Sequence, residues 1–282
     1  MKMRNVIGVV FSLVAALGLY SIATSAVDGV VIHPGGQLPL GGFGDVIAAF
    51  EKKSGIKVSY PQKVGGCGDS VKGVASGAIN AGIMCCPANK DETGKLGFVD
   101  SAIARDAIQF VVVKSNPVNN LTTQQLRDIY QGKIKNWKEV GGNDAPIVPY
   151  SHVMCGNREE VARQFLTGVR EGGKITIDNG LFAPWLSNVG DETKVPETVA
   201  ADPNGIGWVS RSMNKDVVKV LSVDGVTPTP ETIANETYPI VRYLHVVTKG
   251  YPTGATRQFI DYVRSPEGQT ILAKQGKIIA LP

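Results

Sequence analysis

Short apolar runs, set between glycine-rich turns and amphipathic stretches, constrain this chain more than any other feature. Val30-Val31-Ile32 is a run of β-branched residues, as in a buried strand. Gly35-Gly36 and Gly41-Gly42 follow as turns. Phe43, Val46, Ile47 and Phe50 then fall on one helix face,. Lys52-Lys53 and Gly55 close that helix with cations and a C-cap glycine. Ile56-Lys57-Val58-Ser59-Tyr60 alternates like a half-buried strand. Gly65-Gly66-Cys67-Gly68-Asp69 forms a second turn, leading to a helix with Val71 and Val74. Ala78 to Met84 reads as the next strand. This order predicts an open α/β sheet. In such sheets ligands sit at strand C-terminal ends, where loops meet helix N-termini.

The same grammar continues. Ile108 to Val113 is an apolar strand broken by Asn116-Pro117. Thr122 with Gln125 makes a capping box for a helix bearing Leu126, Ile129 and Tyr130. Ile147 to Tyr150 reads as a strand and Ser151 to Gly156 as a loop. Asn157 with Glu160 caps a helix carrying Val161, Phe165 and Leu166. Phe259, Ile260 and Val263 make a late helix face, with Pro266-Glu267-Gly268 opening another. At 282 residues and 43% hydrophobic content the chain fills about two domains,. Its 33 Gly and 16 Pro are scattered, which excludes collagen-like and linker-like folds,. Three His and four Cys exclude a disulfide-dense mini-scaffold, a multihaem protein and a zinc-ribbon array,. A net charge of +4 with no basic run leaves no nucleic-acid footprint,.

The N-terminus reads as an address. Lys2 and Arg4 precede an apolar run from Val6 to Tyr20, and Ala23-Thr24-Ser25-Ala26 follows. Residues 1–26 are expected to be a signal peptide cleaved near Ala26, with the mature chain periplasmic. The alternative is an uncleaved anchor, for which the run is short. No Cys stands there for lipid attachment.

Leu121 to Trp137, with the order L-T-T-Q-Q-L-R-D-I-Y-Q-G-K-I-K-N-W, closely resembles a segment of periplasmic phosphate-binding proteins. So do Gly141-Gly142-Asn143-Asp144-Ala145-Pro146-Ile147, Asn204 to Ser210, and Ser265-Pro266-Glu267-Gly268-Gln269. The similarity runs from about residue 30 to 280. The resemblance implies an α/β, type II periplasmic binding protein fold: two lobes, each an open α/β sheet, joined by two crossing strands. The crossings are expected at Gln109 to Ser115 and Tyr238 to Val247. Lobe 1 is then 27–113 with 243–282, and lobe 2 is 114–242. The resemblance also implies a monomeric solute-binding protein serving an ABC permease, or else a sensor of the same fold signalling to a membrane histidine kinase. An enzyme is not expected: C-x-x-C and a Ser-His-Asp order are both missing.

The ligand loops depart from that family. Where it reads G-S-G-x-G, this chain has Gly66-Cys67-Gly68-Asp69-Ser70. Where it reads D-I-G-x-S-S/D-x-P, this chain has Asn80-Ala81-Gly82-Ile83-Met84-Cys85-Cys86-Pro87. Where it reads G-S-G-T-R, this chain has Met154-Cys155-Gly156-Asn157-Arg158. The hydroxyl-rich turn after the first strand becomes Gly35-Gly36-Gln37-Leu38-Pro39. The resemblance therefore implies a ligand set of Cys67, Cys85, Cys155, Gly66, Gly68, Gly156, Asn157, Arg158 and Gln37. Two disulfides, a thiol ligand site and inert replacements all remain open. Occupation of all three ligand loops favours the thiol site. Thiols are weak hydrogen-bond donors, so phosphate is expected to bind poorly. They suit arsenite or Cu(I) instead, and with His152 as a fourth ligand, Zn²⁺. Metal candidates are Cys67, Cys85 and Cys155, with Cys86, Met154 and His152 as lesser partners. Strand alternation is expected to turn Cys86 away from the ligand. His152 taken alone reads as a solvated loop residue. His33 ends the first strand near the cleft, and His245 lies in an apolar crossing strand.

Overall fold

The structure, a computed structural model, describes residues 29–33, 42–60, 66–152, 165–166, 170–171, 174–175 and 182–282. The expected signal peptide, the turn with Gln37, the loop with Met154, Cys155, Gly156, Asn157 and Arg158, and the helix begun by Asn157 lie outside these residues.

The described strands are β1 (Gly29–His33), β2 (Lys57–Ser59), β3 (Ala81–Met84), β4 (Phe98–Val113), β5 (Asn120–Leu121), β6 (Val148–Ser151), β7 (Arg170–Glu171), β8 (Lys174–Ile175), β9 (Ser187–Asn188), β10 (Gly205–Ser210), β11 (Val218–Val220), β12 (Ser222–Val223) and β13 (Val241–Lys249). The α-helices are α1 (Phe43–Ser54), α2 (Cys67–Ser76), α3 (Lys90–Gly94), α4 (Thr123–Tyr130), α5 (Val195–Ala201), α6 (Pro230–Ala234), α7 (Gly254–Arg264) and α8 (Pro266–Ala273). The fold is α/β, with one mixed sheet ordered β2-β1-β3-β13-β4-β10-β6-β9 and β11 also on β4. Parallel pairs, β1 with β2 and β3, and β6 with β10, occupy the two ends. The centre is antiparallel: β13 with β3 and β4, and β4 with β10.

Local sequence accounts for much of this. Phe43, Val46, Ile47 and Phe50 are the buried face of α1, and Gly55 takes the left-handed C-cap conformation. The Thr122–Gln125 capping box forms at α4. Phe259, Ile260 and Val263 are buried on α7. Other expectations shift. β3 begins only at Ala81 and ends at Met84, so Cys85 and Cys86 stand in a bend beyond it. The second glycine-rich turn is already helical at Cys67. The strand expected from Ile108 is the second part of β4, which begins at Phe98. The charged residues Asp100, Arg105 and Asp106 obscure its first part as a strand in sequence.

β4 is 16 residues long because it serves both halves of the sheet. Phe98 to Ala107 pairs with β13, and Ile108 to Val112 pairs with β10. The buried side chains divide at the same place. Val30 to Ala104, with Leu244 to Ile278, form one cluster; Ala107 to Ile240, with Ile279, form a second. A third, smaller cluster packs Val111, Val209 and Met213 against α5. The division between the clusters falls between Ala104 and Ala107.

At that division Asp106 and Arg242 are direct cross-strand partners. Arg242 Nη2 donates to Asp106 Oδ2 at 2.9 Å, with both side chains buried. Asp106 also accepts from Ala107 N, Ser212 N and Ser212 Oγ. Removing one member of a buried pair strands the other charge, at about 3–5 kcal/mol. Asp106→Ala should therefore lose about that much in urea unfolding. The Asp106→Leu/Arg242→Met double variant should lose clearly less than the two single losses added together. Additive losses would show that the pair is not a coupled unit.

Candidate ligand-binding site

Three thiols meet where the first half of the sheet ends. Cys67 is the first residue of α2, behind the N-cap Gly66. Cys85 and Cys86 follow β3. Cys67 Sγ lies 3.4 Å from Cys85 Sγ, and Cys85 Sγ lies 3.6 Å from Cys86 Sγ. All three sulfurs lie within 4.8 Å of one another and are buried. No disulfide joins them. Cys85 N–H also points to Cys67 Sγ at 3.4 Å.

The backbone makes this meeting possible. Ser70 on α2 lies against Gly82 on β3, where a Cβ would stand 2.7 Å from the Ser70 Cβ. A glycine there lets the helix come down onto the strand. Ser70 Oγ then donates to Ile83 O at 2.9 Å. The far side of the bend is anchored too: Ala88 N–H donates to Asp100 Oδ2 at 2.6 Å, and His245 Nδ1 stands 2.7 Å from Asp100 Oδ1. His245 is thereby structural.

His33 ends β1 beside this group, its Nδ1 2.9 Å from Ser70 Oγ. Burial lowers its pKa below the usual value, while Asp69 and Cys67 act in the opposite sense. The Arg242 guanidinium lies close enough to Cys85 to interact with it electrostatically. Burial alone would disfavour its charge, but Asp106, Cys85 and Glu192 outweigh burial and raise its pKa. Arg242 donates to Ser210 Oγ, which itself donates to Glu192 Oε1. His152 is fully buried, with Nε2 3.9 Å from Glu192 Oε1 and its ring 5.7 Å from that of Trp208.

The structure thus groups Cys67, Cys85 and Cys86, and does not include His152 with them. Two expectations are corrected. His152 is a buried residue packed against Glu192 and Trp208 rather than a solvated loop residue. Cys86 is not turned away from the other thiols, because strand alternation lapses once β3 has ended. Gly66 and Gly68 stand at the N-cap and in the first turn of α2. Sequence reasoning missed Asp106, Arg242, Glu192 and Ser210. Their signal was charge inside apolar strands: Asp106 just before Ala107-Ile108, and Arg242 between Ile240-Val241 and Leu244.

The PBP superfamily domain matches residues 23–267. The chain belongs to that superfamily and, within it, to the phosphate-binding protein family. It is 32% identical over 239 residues to the phosphate-binding protein PstS of Bacillus subtilis (strain 168), covering 83% of this chain and 76% of that one. It is 27% identical to PstS of Borreliella burgdorferi, covering 97% and 98%. A crystal structure from Clostridium perfringens, assigned as a phosphate ABC transporter substrate-binding protein with bound phosphate, superposes with a TM-score of 0.75. It is 30% identical and covers 90% of this chain and 100% of its own. The chain is a solute-binding protein, not an enzyme.

Two measurements check this geometry. The native state favours neutral His33, so below pH 6.5 the unfolded chain holds a proton that the native chain lacks,. His33 should add stability above pH 6.5 that is lost as pH falls toward its lowered native pKa. Urea unfolding between pH 7.5 and 5 should show His33→Gln with a shallower loss than the parent; equal slopes would refute the assignment. Gly82→Ala should destabilise the protein by about 1–3 kcal/mol through overpacking. It should also make Cys67 and Cys85 react faster with an alkylating agent.

Proposed function

We propose that the chain is the periplasmic receptor of an ABC importer and holds a small inorganic oxyanion of the phosphate class between two lobes. The observation that carries this reading is the α2 N-terminus. Cys67 opens α2 behind its N-cap Gly66, and the buried Arg242 guanidinium interacts electrostatically with neighbouring Cys85. A helix N-terminus with a nearby cation suits a desolvated anion. The solved relative from Clostridium perfringens holds phosphate on the same fold. The lobes of this reading follow the buried clusters, one on each side of Ala104–Ala107 and of Ile240–Leu244. The loop with Cys155, Gly156, Asn157 and Arg158 would close from the second lobe, as the resemblance implies. The apolar N-terminal run supports export.

A second reading concerns the same place. The group Cys67, Cys85 and Cys86 favours a thiophilic ligand, arsenite or Cu(I), because thiols serve soft centres better than oxyanions,.

Calorimetry of the reduced protein with inorganic phosphate tests the first reading. Binding is expected, and Cys67→Ser should tighten it. A hydrogen bond to a charged group contributes about 1.5–3 kcal/mol, so one restored hydroxyl donor is worth about tenfold or more. Phosphate bound by neither protein would end the first reading. Binding unaffected by Cys67→Ser would place the anion elsewhere.

A further inference from the structure

The three-thiol group has a geometry that selects among soft ligands. Its members come from the first turn of α2 and from the bend after β3, both on the first buried cluster. Both supports are tied down, the helix by Ser70 to Ile83 O and the bend by Ala88 N–H to Asp100. The sulfurs are therefore placed before any ligand arrives. At a sulfur–ligand bond of about 2.3 Å, separations of 3.4 and 3.6 Å subtend about 95–105° at a shared centre. Both angles involving Cys85 are those of a three-coordinate pyramid whose apex carries a lone pair, and the third pair, Cys67 and Cys86, lies within 4.8 Å. A planar three-sulfur Cu(I) centre needs separations of about 4.0 Å at the same bond length. A tetrahedral ion needs a fourth ligand, and no His, Asp or Glu among the described residues joins the group,.

We infer that Cys67, Cys85 and Cys86 form a preorganised three-sulfur site for a trivalent pyramidal oxyacid, of which arsenite is the type. The inference rests on the second reading above and deepens it: the site needs no thiol from the other half of the chain. The chemistry is a condensation. Arsenous acid, As(OH)₃, exchanges its three As–O bonds for three As–S bonds. Each thiol proton leaves with a hydroxyl group as water, so three waters are released. Arsenic remains trivalent and sulfur is not oxidised, so no redox partner is required. The product is neutral, and burying it carries no charge penalty of the kind an anion would meet among packed side chains.

The test uses the mature protein, reduced and handled without oxygen, with arsenite as the probe. Native mass spectrometry should show one arsenic gained and three hydrogens lost. X-ray absorption should show three sulfur neighbours and no oxygen. Peptide mapping after alkylation should find Cys67, Cys85 and Cys86 protected by arsenite and Cys155 unprotected, a readout that needs no variant. Single Cys67→Ser, Cys85→Ser and Cys86→Ser changes should each weaken arsenite binding by more than the roughly 10–100-fold that loss of a merely supporting partner costs. Cys155→Ser should bind like the parent.

Protection of Cys155 in place of Cys86 would overturn the inference while leaving a soft ligand in the cleft. Binding of Cu(I) but not arsenite would do the same. No uptake of either, with phosphate still bound, would end the soft-ligand reading as well and leave the oxyanion receptor standing.

Discussion

The Asp106–Arg242 pair is the interaction on which the rest of the molecule depends. It lies where β4 leaves β13 for β10 and where one buried cluster gives way to the next. Two charges out of water are tolerable only when each is paired and its remaining hydrogen-bonding capacity is met. Asp106 meets this with Ala107 and Ser212, and Arg242 reaches Ser210. The pair pins the register of the two longest strands, which carry all the other strands of the main sheet outward on either side.

The three-thiol group hangs from that frame. β3 is hydrogen-bonded to β13, and its C-terminal bend is secured to β4 through Asp100. α2 rests on β3 because Gly82 has no side chain. Each support fixes one or more of the thiols. Arg242 connects the two regions: the guanidinium that pairs with Asp106 also feels Cys85 and Glu192. A change at the strand crossing therefore alters the electrostatics at the thiols.

Compared with the hydroxyl-bearing loops that the resemblance implies, the sequence departs in side-chain chemistry, with Cys67, Cys85 and Cys86 at the helix start and the bend. The α2 N-terminus and Gly82, which lets the helix approach β3, are backbone features that do not depend on the thiols. Thiols in the helix and bend positions weaken donation to an anion and add affinity for soft centres.

Much of this was legible in sequence, because local periodicity and capping act over a few residues. The apolar face of α1, the Thr122–Gln125 capping box and the apolar face of α7 followed from spacing alone. The family followed from long ordered matches such as Leu121 to Trp137. The cysteine loops were visible as departures from that family's pattern. What needed tertiary structure was everything set by distant partners. The first half of β4 did not read as a strand, because Asp106 makes sense only once Arg242 lies beside it, and Arg105 only once Ala234 O and Glu236 meet its guanidinium. His152 looked solvated until Glu192 and Trp208 enclosed it. The position of Cys86 depended on where β3 stops, since a period-two rule ends with the ladder that enforces it. Local pattern specifies which face of an element is apolar; which charges and sulfurs meet is decided by register across strands far apart in the chain.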